Sequence, residues 1–176
     1  MLVVAELDIA PDPTNVLNCD AQRQAELARL LSAYGINIQS VGDNETIPGS
    51  FFGDREAGLM GKTLYLRYDT PVHSALHEAG HYICMDPVRR DKLDTDAEGN
   101  FDEENGVCYL QILLSDRLNG VGKQRMMLDM DSWGYTFRLG SAKAWFEQDA
   151  DDAKQWLVHH SIIDAEQEIT LQLRHL

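Results

Sequence analysis

The sequence predicts an α+β fold: a small mixed sheet, one helix packed beneath it, and a mostly helical C-terminal part. Three observations lead there. The stretches from Ile36 to Val41 and from Lys62 to Tyr68 have the alternation or the β-branched and aromatic content of strands. Residues 71–85 carry apolar residues at helical spacing, and so does the chain from Glu103 onward. With 176 residues, 44% of them hydrophobic and 25% charged, the chain suits one globular domain with a full core. Residues 1–176 are therefore taken as a single domain. About 1–118 hold the sheet and two principal helices, and about 119–176 form the helical C-terminal part.

Each element follows from local chemistry. Pro11 and Pro13 mark a loop. Asp20 is placed to cap a helix whose apolar stripe includes Ala21, Ala25, Leu27, Ala28 and Leu31, and Gly35 ends it. Ile36 and Ile38 alternate with polar residues as a first strand. Residues 42–61 are rich in glycine and turn formers, with Phe51-Phe52 as a short strand, and Lys62 to Tyr68 is a further strand. Thr70 is expected to cap the next helix with Pro71 at its first position, and Asp86-Pro87 to end it. An acidic loop over 91–102 leads to a helix from Glu103 to about Leu118. Beyond a turn near Gly134, one helix is expected from Ser141 through Trp156. Two patterns fit the end of the chain: Ile169, Leu171 and Leu173 alternate like a strand, and 162–176 also suits a helix.

The 71–85 helix contains His77-Glu78-Ala79-Gly80-His81, an H-E-x-x-H sequence. Residues four apart on a helix stand nearly above one another, so both imidazoles can reach one metal ion. Glu78 falls beside that ion, where it can take a proton from water. His73, His77 and His81 form one stripe, while Val72, Leu76, Ala79 and Ile83 form a separate apolar face. One face is thus available to the core and the other to a site.

The order of strand, H-E-x-x-H helix, loop and second helix over about residues 62–118 resembles the zincins, and more narrowly the gluzincins. That resemblance implies a zincin-like fold and a Zn2+ site in which His77 and His81 are joined by a glutamate on the following helix. Glu103 and Glu104 both open that helix. Glu103 is favoured, because it shares the stripe of Val107, Leu110 and Leu114, and the small Gly106 three positions on is expected to permit close approach to the motif helix. Glu104, the alternative third ligand, shares a face with Gln111 and Ser115. The implied activity is that of a metallopeptidase in which Glu78 serves as general base toward a peptide or protein substrate. The Lys62–Tyr68 strand is expected to offer an edge for an extended peptide. The alternative is a zincin-like scaffold that binds metal or a protein partner without catalysis. His73, Tyr135, His159 and His160 are candidates for stabilising an oxyanion, with none assigned.

Composition narrows the partners. A formal net charge of −14 argues against nucleic acid and anionic membrane surfaces. Three cysteines in apolar surroundings (Cys19, Cys84, Cys108), with no signal-like N-terminus and no membrane-length apolar run, lead to the expectation of a cytoplasmic protein. Gly58 to Thr63 resembles the end of a phosphate-binding loop, but Glu56 replaces its first glycine and a strand follows where a helix is required. The segment from Asp94 to Asn105 matches several positions of a calcium loop, giving Ca2+ as a second candidate ion; Asn105 stands where a bidentate glutamate is usual.

Overall fold

The computed structural model describes residues 13–50, 55–94 and 99–175. Its described elements are α+β: a three-stranded mixed sheet and a set of helices gathered around one buried helix. Helix α1 (Ala21–Ser32) starts where Asp20 accepts a hydrogen bond from Arg23 N. It leads into β1 (Asn37–Ser40), followed by β2 (Gly58–Met60) and β3 (Thr63–Leu66). The sheet order is β1-β3-β2, with β1 parallel and β2 antiparallel to β3. The expected peptide-binding edge is therefore corrected: β3 has a hydrogen-bonded neighbour on either side. The Phe51-Phe52 strand lies outside the described residues.

Helix α2 (Val72–Cys84) bears the H-E-x-x-H sequence. Its apolar face is as expected, with Val72, Leu76, Ala79 and Ile83 fully buried. The cap differs by one residue. Pro71, in an extended conformation, occupies the N-cap, and the Thr70 hydroxyl instead accepts from Arg67 N at 2.9 Å. The 17–19 strip ties this end down, through Cys19 N to Thr70 O and Val72 N to Leu17 O.

A short helix α3 (Pro87–Asp91) intervenes before α4 (Phe101–Ser115). Asn100 caps α4 by accepting from Glu103 N, so the helix begins two residues before the expected Glu103. From Gly106 to Ser115 every residue of α4 is buried, the pattern of a helix enclosed by other elements. Helix α2 packs on one side of it, while α5 (Gly122–Trp133) and α7 (Asp151–His159) pack on others. The close approach between α2 and α4 falls at Gly80, inside the motif, where a Cβ would meet Val107 Cγ1 at 3.0 Å. Gly106, expected to serve that purpose, instead faces Trp156 of α7, which a Cβ would meet at 2.8 Å.

The predicted Ser141–Trp156 helix is two helices, α6 (Ala142–Gln148) and α7. Asp149 leaves helical geometry between them and receives Arg138 Nε at 2.7 Å. The last segment is neither of the two expected forms. It runs as irregular chain with a single bridge between Ile163 and Ile169. No helix among the described residues is long and apolar enough to cross a membrane. Cys19, Cys84 and Cys108 are all free and buried, as expected.

Candidate metal centre

The histidine stripe of α2 faces the first turns of α4. His77 Nε2 lies 3.0 Å from Glu104 Oε1, and His81 Nε2 lies 3.3 Å from Glu104 Oε2. One donor atom from each of these three residues lies within 4.8 Å of the others. The structure thus brings His77 and His81 together as expected, but with Glu104 rather than the favoured Glu103. Glu103 is buried at 2% exposure and receives Arg89 Nη1 at 2.9 Å, Arg89 Nη2 at 2.6 Å and Arg174 Nη1 at 3.3 Å. The physical reason is angular: adjacent helical residues point about 100° apart, so only one of the two can face α2's histidines.

Sequence reasoning missed Gln111 as a member of this site, although its shared face with Glu104 was visible. Fully buried, it donates Nε2 to His73 O at 2.9 Å, which turns its carbonyl oxygen toward His77 Nδ1 at 3.0 Å. His77 therefore donates from Nδ1, leaving Nε2 as the atom directed at Glu104. An outer hydrogen bond of this type fixes the tautomer that a metal-binding imidazole requires. The donor set is also chemically apt. In a tetrahedral zinc site with bonds of about 2.1 Å, neighbouring donors stand about 3.4 Å apart, close to the separations of the Glu104 oxygens from the two ring nitrogens.

Charges within the cluster act against the effect of burial. Burial alone would depress His77 and raise Glu104. For His77, the Tyr135 phenol, Cys108 and Glu104 reverse that and hold the imidazole well above its usual range. For Glu104, the hydrogen bond from His77 and the charges of His77 and His81 hold the carboxyl below its usual range. Glu78 sits one position after His77, and burial pushes it up to about 7; the His77 charge opposes this, while Glu56 and Glu104 add to it.

Two of the four oxyanion candidates belong to this neighbourhood. Tyr135, on the segment after α5, has its ring 5.7 Å from that of His77, and its hydroxyl lies 3.2 Å from His73 Nδ1. Gly134 makes this placement possible by closing α5 in a left-handed conformation at φ 108°. His159 and His160 lie elsewhere, edge to face with each other at the end of α7, with His160 against Trp156. Of the calcium-loop candidate, residues 95–98 lie outside the described residues, and the side chain of Asn100 caps α4.

His73 gives a first testable consequence. It is surrounded by Tyr135, Trp133, His77 and Arg55, and burial, reinforced by the His77 and Arg55 charges, pushes its imidazole down to about 3. In the unfolded chain the ring titrates near 6.5. The depressed value means that folding favours the neutral ring. This contribution is complete above the unfolded pKa and is lost as pH falls from there toward 3. Between pH 7.5 and 5 the loss should be about 2 kcal/mol. Urea denaturation at both pH values checks it, because His73→Phe should lose less stability on acidification by about that amount. Parallel pH profiles for wild type and variant would remove His73 as the cause.

Comparison with protein families, with characterised proteins and with solved structures finds no match.

Proposed function

We propose that this chain is a zinc-dependent hydrolase, a metallopeptidase, in which His77, His81 and Glu104 hold the metal and Glu78 is the general base. The observation that carries this is the Glu104 carboxylate, with one oxygen at each of the two histidine Nε2 atoms. A divalent cation held there supplies a Lewis acid that lowers the pKa of water toward about 7 and polarises a carbonyl. Around it, the residues of this chain have separable tasks. Gln111 keeps the His77 tautomer fixed, and Glu78 moves a proton between the attacking water and the leaving amine. Peptide as the substrate class follows from the resemblance of the H-E-x-x-H sequence and the order of elements over about residues 62–118 to the gluzincins. The free, buried cysteines support a cytoplasmic setting.

Elemental analysis of purified protein tests the metal assignment. About one zinc per chain is expected in the wild type, and little in His81→Ala or Glu104→Ala. A wild type without zinc, even after zinc is added back and excess dialysed away, would refute it. Zinc retained at wild-type occupancy in Glu104→Ala would remove Glu104 from the ligand set.

A further inference from the structure

Arg174 belongs to the last described stretch of chain, nearly a hundred residues beyond the motif, yet it sits at the junction of the two helices that build the candidate site. Its backbone N–H donates to Ile83 O at 2.9 Å, and its Nη1 donates to Cys84 O at 3.2 Å and to Glu103 Oε2 at 3.3 Å. Its guanidinium lies over the Trp156 ring, 5.2 Å from the centroid, and Trp156 in turn fills the space at Gly106 of α4. Arg90 completes the junction. Its Nη2 donates to Arg174 O at 3.0 Å and to Met85 O, and its Nε donates to Tyr82 O at 3.0 Å.

These bonds do two things at once. The carbonyls at the C-terminal end of α2, which have no partner within the helix, are satisfied by two arginines whose charge also suits that end of the helix dipole. The same Arg174 guanidinium, with Arg89, grips the carboxylate of Glu103 in the first turn of α4. Glu103 and Glu104 are consecutive on one helix, so holding the first sets the rotation and height of the second.

We infer that Arg174, acting with Arg89 through Glu103, is a positioning residue for the metal site: it locks the first turn of α4 against the last turn of α2 and so holds the Glu104 carboxylate over His77 and His81. The inference rests on the metal site proposed above. It assigns a role in that site to the C-terminal segment, which contributes no ligand of its own.

The test is a double-mutant cycle on zinc affinity, measured with Zn2+ alone by chelator competition on the full chain. Arg174→Ala is expected to weaken zinc by roughly 10–100-fold, the range for partners that orient metal ligands. In a Glu104→Ala background the same change should weaken zinc no further, because the group it positions is gone. The visible spectrum of the Co2+-loaded protein should also shift in Arg174→Ala and stay the same between Glu104→Ala and the double variant. Unchanged zinc affinity in Arg174→Ala would overturn the inference, and so would an equal loss in both backgrounds. If Arg174→Ala does not fold, Arg89→Ala on the same clamp is read in the same cycle. A wild type that binds zinc but cleaves no peptide leaves this inference standing and ends the peptidase proposal; a wild type that binds no zinc overturns both.

Discussion

Glu78→Gln should abolish peptide hydrolysis, by roughly 10²–10⁴-fold or more, while leaving about one zinc per chain. The glutamine has nearly the volume of the carboxylate it replaces, and Glu78 is not one of the three groups that converge on the candidate metal position. The change therefore removes proton acceptance and little else. Its position is fixed by the helix: one residue after His77, Glu78 flanks the His77–His81 stripe instead of lying within it. A peptide mixture digested by wild type and variant, read by mass spectrometry beside elemental analysis of the same samples, separates chemistry from binding. Cleavage in the variant at a comparable rate would eliminate Glu78 as the base. Zinc bound equally by both proteins, with cleavage by neither, would favour the reading as a scaffold that binds metal without catalysis.

The parts of the site that were legible in the sequence share one property: they are set by spacing along a single helix. The two histidines, Glu78 and the apolar face of Val72, Leu76, Ala79 and Ile83 follow from periodicity within α2, and packing with the rest of the molecule leaves them in place. Glu103 shows where such reasoning ends. Helical periodicity puts it on the buried stripe, and it is buried, yet periodicity carries no information on what buries it. Its partners are Arg89 and Arg174, of which Arg174 arrives from a segment whose path no local pattern sets. Gly106 illustrates the same limit, since a small residue announces a close approach without naming the neighbour. Here the neighbour is Trp156, and the approach to the motif helix falls to Gly80. Tyr135 reaches the histidines through a turn at Gly134 whose direction depends on how α5 packs on α4. At the break between α6 and α7, Asp149 likewise takes its partner from outside the local pattern: Arg138, eleven residues earlier and beyond the other end of α6.

Glu103→Ala and Glu104→Ala, one residue apart, should have opposite signatures in stability and metal binding. Glu103 is 2% exposed, and its carboxylate is shared by two guanidinium groups, those of Arg89 and Arg174, at the α2–α4 junction. Removing it leaves Arg174 without its carboxylate, while Arg89 keeps Asp86 at 3.3 Å, so the cost should lie at the lower end for a broken buried pair, about 3 kcal/mol. The Glu104 side chain is 48% exposed and water can replace its contacts, so Glu104→Ala should cost no more than about 1 kcal/mol in chelator-treated protein. Added zinc reverses the comparison. A ligand that binds only the folded state stabilises it by about 4 kcal/mol at a thousand times its Kd, and this gain should vanish in Glu104→Ala while persisting, reduced, in Glu103→Ala. Urea denaturation of the three proteins, with chelator and with zinc, reads both effects. Equal destabilisation by the two substitutions in chelator would mean that the Arg89–Glu103–Arg174 cluster does not hold the junction together. A zinc response lost in Glu103→Ala and kept in Glu104→Ala would mean that Glu103, not Glu104, completes the metal site, against the distances between Glu104 and the two histidines.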